Sequence, residues 1–292
     1  MAVLIVTKPT NFEQHGELVR AMMQRGRSQS DLLTELELAH TEHYACLDLL
    51  RGELERAGIR YEEVSRSNLP PSGRAYDGIF TVGGDGTLLS ASRLVTDRSP
   101  LIGIRSSSSS VGFLCAASAP AVPRLVTMFK ERRLVYQETA RLMATIEYAA
   151  DHLRMHTVPV LNDFLFANAN PAATTRYRIE LGDSHEVQKS SGVWLSTSVG
   201  STAAILAAGG QEMAASDKRF QFVVRELYKG EGIPFRLVIG LFDPDHVRFA
   251  IENRSEYAML ALDGQRETIA LKYGDLVTFL RAPSILIAKS IL

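Results

Sequence analysis

The chain is poor in several things. Only two of its 292 residues are cysteine, Cys46 and Cys115, far apart and at no metal-ligand spacing. A disulfide scaffold therefore has no basis, and each cysteine is expected to be a small buried apolar residue in a reducing compartment. Neither charge is in excess: 32 basic residues stand against 33 acidic ones, for a net charge of −1. That balance supplies no electrostatic footprint for nucleic acid or an anionic membrane, so neither is an expected partner, and a polyanionic ligand would need a local site or a metal. Long apolar runs are missing too. Ala2 to Val6 is of strand length with no basic stretch before it, and no segment approaches the roughly 18 to 20 residues that span a bilayer. These absences lead us to expect a soluble, cytoplasmic protein. There is also no Gly-Lys dipeptide, hence no Walker A loop.

What is present suffices for a core: 46% of the residues are hydrophobic, and the length favours two packed domains. From Met1 to about Lys130 short apolar runs alternate with helical stretches. The pattern predicts strands at Val3–Thr7, Ile59–Val64, Gly78–Val82 and Pro100–Ile104, with helices near Thr34–Ala57 and Thr87–Val95. Such alternation means a parallel sheet with covering helices. From about Tyr136 strand-length segments separated by turn residues take over, among them Arg176–Leu181, Val193–Ser196, Val247–Asn253, Val277–Leu280 and Ile285–Ala288. The predicted fold is an α/β N-terminal domain, residues 1–135, followed by a β-rich C-terminal domain, residues 136–292. The last strand is left free to pack back on the first domain. Ser106 to Ser110, the one low-complexity segment, reads as a flexible loop that a bound nucleotide would order.

The densest chemical signal is Gly83-Gly84-Asp85-Gly86-Thr87, which carries the buried strand Gly78–Val82 into a helix. Glycines remove side chains where a ligand must approach the backbone, and a helix N-terminus offers N–H groups and a positive dipole end to phosphate. A carboxylate there is unfavourable beside phosphate unless it meets a metal or accepts a proton from an attacking hydroxyl. The plainer reading is a tight strand-to-helix turn with Asp85 as an N-terminal cap. Leu89 stands where a dinucleotide fingerprint needs a small residue, so an ordinary Rossmann site does not fit. A second strand, Val193–Ser196, runs into Thr197-Ser198-Val199-Gly200-Ser201-Thr202 and the Ala-rich stretch Ala203–Ala208, where hydroxyls and N–H groups can hold phosphate or ribose. A third segment sets Asn162 beside Asp163, an amide and a carboxylate able to bond a base edge or a diol. His152 and His156 have metal-like spacing only on a helix, and they lie in a strand-like segment, so no protein-held metal is expected.

Together these segments resemble the NAD kinase family. Its Gly-Gly-Asp-Gly-Thr stands at Gly83 to Thr87, its Asn-Glu pair at Asn162-Asp163, its Gly-Ser-Thr-Ala element at Gly200 to Ala203, and its late Asp-Gly-Gln at Asp263-Gly264-Gln265. Ser190-Ser191-Gly192 and Val224-Arg225-Glu226 look closer to the mitochondrial-type branch, although the first seventeen residues contain Glu13 and Glu17 and a single basic residue, unlike a transit peptide.

The resemblance implies an NAD kinase/diacylglycerol kinase-like two-domain fold and ATP-dependent phosphorylation of the 2′-hydroxyl of the adenosine ribose of NAD to give NADP. Asp85 would be catalytic. Gly83, Gly84, Gly86, Thr87, Asn162, Asp163, Ser191, Thr202, Ala203, Asp263 and Gln265 would bind substrates, with Mg²⁺ accompanying ATP and the chain forming a homo-oligomer, a dimer or tetramer. A lipid or sphingoid kinase of the same superfamily, or a catalytically silent nucleotide-binding regulator, are the alternatives. Departures fall at Asp163 for Glu, Ser191 for Asp and Ala204 for Tyr, expected to share one wall of the dinucleotide site and to weaken it. The family's Gly-Ile-Asn-x-Gly turn is here Gly103-Ile104-Arg105 followed by five serines, two residues longer and without the Asn and inner Gly.

Overall fold

The computed structural model describes residues 1–25, 30–71, 73–230, 234–264 and 267–291. The chain forms two units: Met1–Glu138 with Ile285–Leu292, and Thr139–Ser284.

The first unit runs β1 (Ala2–Thr7), α1 (Asn11–Gln24), α2 (Ser30–Arg56), β2 (Arg60–Ser65), β3 (Gly78–Gly83), α3 (Asp85–Ser92), β4 (Leu101–Arg105), β5 (Cys115–Ser118) and α4 (Val122–Lys130), and ends in the start of β6 (Tyr136–Glu147). β2, β1, β3 and β4 lie side by side in that order, all parallel. β5 adds parallel to β4, with a register shift at Gly103/Ile104. Val3, Ile5, Phe80, Val82, Ile102 and Ile104 are fully or almost fully buried against Leu47, Leu50 and Leu54 of α2 and Leu125 and Phe129 of α4. Continuous apolar strands of this kind belong to a sheet buried on both faces.

The remainder of β6 opens the second unit, followed by β7 (Arg154–His156), β8 (Asp163–Asn168), β9 (Thr175–Leu181), β10 (Ser184–Ser190), β11 (Gly192–Ser196), α5 (Ala204–Ala207), β12 (Phe220–Arg225), β13 (Ile239–Phe242), β14 (Phe249–Asn253), β15 (Ala258–Leu262), β16 (Glu267–Leu271) and β17 (Leu276–Ala288). One sheet has the order β13-β12-β11-β8-β15-β16, antiparallel throughout. A second joins β10, β9, β14 and the first half of β17. Phenylalanines fill the space between the sheets: Phe222 meets Phe249 at 4.9 Å between ring centroids, and Phe164 meets Phe279 at 5.5 Å.

Candidate active site

In the first unit the site is built where β3 passes into α3. Both glycines at the junction are sterically required: a Cβ on Gly83 would lie 2.2 Å from Oγ1 of Thr87, and one on Gly84 would lie 2.4 Å from the Val111 carbonyl oxygen. Asp85 is the first residue of α3, where a negative side chain suits the helix dipole. Its carboxylate is held from outside the helix. The Leu114 N–H donates to Oδ1 at 2.8 Å, the Phe113 N–H donates to Oδ2 at 3.1 Å, and Asp85's own N–H donates to the Val111 carbonyl at 3.0 Å. Gly86 follows in the first turn, its carbonyl taking the Ser90 hydroxyl. Thr87 is buried, and its Oγ1 has no hydrogen-bond partner among the described residues. Phe113, beside this carboxylate, is 86% exposed.

In the second unit Asp263 gathers the segment around Asn162. Its carboxylate accepts the N–H groups of Leu161 at 3.2 Å, Asn162 at 2.7 Å and Asp163 at 3.3 Å. Asp263 itself sits at φ 48°, a left-handed conformation unusual outside glycine. Asp163 is only 5% exposed; burial first, then the neighbouring Asp263 charge, push its carboxyl up to about 7, against an opposing hydrogen bond from the Gly264 N–H. Its proton is therefore held more tightly than that of an exposed carboxyl. Arg141 supplies the cation here: it is 1% exposed, donates Nε–H to the Pro283 carbonyl at 2.9 Å, and is pulled down to about 10 by burial against the attraction of Asp263. Nothing in the sequence singles it out.

The Gly200 element closes on the same segment. Thr197 donates its hydroxyl to the Leu161 carbonyl and its N–H to the Asn162 carbonyl at 2.9 Å. A Cβ on Gly200 would come within 2.2 Å of that Asn162 oxygen. Thr202 ends a 3₁₀ turn with its side chain exposed, and Ala203 caps α5, which is one turn long rather than the longer helix the alanines suggest. Asn162, Asp163, Gly200 and Asp263 are thus brought together. Ser191 is not: it precedes β11 whereas Thr202 follows it, and a five-residue strand separates the two ends by roughly 16 Å. Within one chain, then, Ser191 does not share a wall with Asp163 and Ala204. Gln265 lies outside the described residues.

The five serines are not a loose loop. Ser106 and Ser107 are buried, and the Ser107 hydroxyl is bonded to those of Ser109 and Ser110 at 3.1 and 2.9 Å.

Residues 3–134 match the ATP-NAD kinase N-terminal domain. Over that stretch the chain is similar to the NAD kinase family. Among similar proteins, a probable NADH kinase of Oryza sativa subsp. japonica is 28% identical over 255 residues, covering 80% of this chain and 77% of the relative. The NAD kinase of Aquifex aeolicus (strain VF5) is 29% identical over 209 residues, covering 71% and 73%. The fold is that of an NAD kinase from Archaeoglobus fulgidus solved in complex with ATP, with a TM-score of 0.68 at 17% identity over 100% of this chain and 94% of that one. It is also that of yeast NADH kinase complexed with NADH, with a TM-score of 0.69 at 17% identity over 99% and 84%.

Proposed function

We propose that the protein transfers the γ-phosphoryl group of ATP to the 2′-hydroxyl of the adenosine ribose of NAD, yielding NADP and ADP. The observation that carries this reading is the carboxylate of Asp85, placed at a junction stripped of side chains and oriented by two peptide N–H groups. A pure binding site gains nothing from a carboxylate there, whereas a hydroxyl about to attack phosphorus needs a positioned proton acceptor. In this reading Asp85 aligns the 2′-hydroxyl and takes its proton, while Gly83, Gly84, Gly86 and Thr87 let the donor phosphates approach the backbone. Asn162, whose side chain is partly exposed, binds NAD with Asp163, Thr202 and Ala203. Asp263 holds the Asn162 segment in shape, and Gln265 contributes by resemblance. Ser191, at the far end of β11, is left without a part in this cluster.

Mg²⁺ enters with ATP. Among the described residues no group of three or more His, Cys, Asp or Glu side chains is placed to hold an ion, and the donor phosphates with water and at most the Asp85 carboxylate make a suitable oxygen donor set for it. When bound, the ion neutralises charge on the transferring group. A homo-oligomer working in the cytoplasm completes the reading, supported by the family resemblance and by two cysteines that form no disulfide.

The purified protein incubated with ATP and Mg²⁺ should form NADP from NAD. Parallel arms with NADH, with diacylglycerol, and with polyphosphate replacing ATP set the acceptor and donor range. A phospholipid product, or no product in any arm, overturns the reading.

A further inference from the structure

The loop that holds Asp85 opens on a run of five serines, small side chains that pack little and bond readily. Ser106 to Ser110 form that run, and the next residues are the ones that touch Asp85: Val111 through its carbonyl, Phe113 and Leu114 through their N–H groups. Beyond the buried Ser106 and Ser107, the loop meets an open groove of about 570 Å³ rather than a continuous packed face, with walls that include Cys46, Leu49, Arg105 and Pro120.

Two successive residues of α2 reach across instead. Glu42 accepts the Ser108 N–H at 2.7 Å and the Ser108 hydroxyl at 3.0 and 3.2 Å. His43, 1% exposed, links Ser106 to β1: its Nδ1 lies 2.9 Å from the Ser106 hydroxyl and its Nε2 lies 3.0 Å from the Thr7 hydroxyl. One nitrogen of a neutral imidazole donates and the other accepts, and each hydroxyl can take either part. The Ser106 N–H donates to the Gly83 carbonyl at 2.9 Å, which joins the start of the loop to the glycine junction itself.

We propose that Glu42 and His43 are positioning residues for Asp85, fixing the serine loop so that its far end presents the Val111, Phe113 and Leu114 peptides to the carboxylate. The proposal rests on the reading of Asp85 as the proton acceptor. A small displacement of a catalytic group costs turnover rather than substrate affinity, and shifts near 1 Å are worth up to about a hundredfold.

Steady-state kinetics and hydrogen exchange on the full chain test it. Glu42→Ala should lower kcat about tenfold with the KM for ATP and for NAD within about twofold, and Glu42→Gln, which keeps one acceptor oxygen for Ser108, should recover most of the loss. Ser106→Ala probes the His43 arm without disturbing the buried helix and should lower kcat about threefold, the worth of one hydrogen bond. Without nucleotide, the Ser108, Phe113 and Leu114 amides should exchange faster in Glu42→Ala than in the parent. In an Asp85→Asn background, Glu42→Ala should change turnover no further. Parental kcat together with unchanged exchange in Glu42→Ala, or losses that multiply in the double variant, overturns the proposal. Undiminished turnover in Asp85→Asn alone overturns the assignment of Asp85 instead, and the exchange measurement still decides whether Glu42 holds the loop.

Discussion

Asp163 and Asp263 are hydrogen-bonded to each other through the backbone: the Asp263 N–H donates to the Asp163 carbonyl at 3.0 Å, and the Asp163 N–H donates to the Asp263 carboxylate at 3.3 Å. A hundred residues apart in the chain, they put two carboxyl groups into one buried corner. Asp263 uses its charge to order three peptides, and Asp163 bears the electrostatic consequence.

The first prediction is a pH dependence of stability. Asp163 titrates at about 7 in the fold, against an ordinary carboxyl value of 3.8 when unfolded. Between those values the folded state keeps a proton that the unfolded state has lost, so unfolding releases a proton and stability falls as pH rises. The slope is at most about 1.4 kcal/mol per pH unit for one group. This contribution is fully present below the unfolded value and lost as pH rises through 7. Urea denaturation at pH 4.5 to 7.5 should show the parent gaining on Asp163→Asn upon acidification. A constant difference between the two would contradict the shift.

Arg141 is the second. Arg141→Met keeps the aliphatic bulk but leaves Asp263 without its buried cation, and removing one partner of a buried charge pair costs about 3–5 kcal/mol. In an Asp263→Asn background the same change should cost markedly less. Equal losses in both backgrounds, read by urea denaturation, would show that Arg141 acts only through packing.

Gly200→Ala is predicted to be severe, because its Cβ would meet the Asn162 carbonyl at 2.2 Å and neither backbone can yield cheaply. Overpacking of this kind costs about 1–3 kcal/mol or more. Displacement of Asn162 should weaken NAD binding at the same time. Calorimetric titration with NAD checks this, and parental affinity in a stable variant would remove Asn162 from the site.

Asp85→Asn should fold but lose turnover by roughly 10² to 10⁴, the usual contribution of a positioned proton acceptor. The amide also turns an NH₂ group toward one of the two donating peptides at Phe113 and Leu114, so a loss of about 1–3 kcal/mol in stability should accompany it. Initial rates of NADP formation, together with thermal denaturation, separate the two effects.

How much of this was legible in the sequence differs from element to element. β3 and the glycine junction could be read directly, because a buried apolar strand and a side-chain-free turn are demands the chain makes within a dozen residues. α1 was missed although Thr10 and Glu13 form a capping box there, a local signal that was available. α4 was missed as well, with Pro123 in its first turn. β10, with the polar sequence Ser184 to Ser190, extends along β9, and its own residues carry little strand preference. The two segments expected at Val277–Leu280 and Ile285–Ala288 are one strand, β17, because Pro283 falls where its missing N–H is tolerated and its carbonyl serves Arg141.

The sequence by itself determined where a strand passes, through a junction stripped of side chains, into a helix start, since glycine spacing, apolar period and helix starts are steric and hydrogen-bonding properties of neighbouring residues. Only the tertiary structure decided that the Asp163 carboxyl is pushed well above the ordinary carboxylate range, that Arg141 is its neighbour's counter-charge, that Ser191 stands away from Thr202, and that Ser106 and Ser108 are fastened to α2. Burial and Coulomb attraction depend on distances in space, and the groups concerned stand tens to more than a hundred residues apart along the chain.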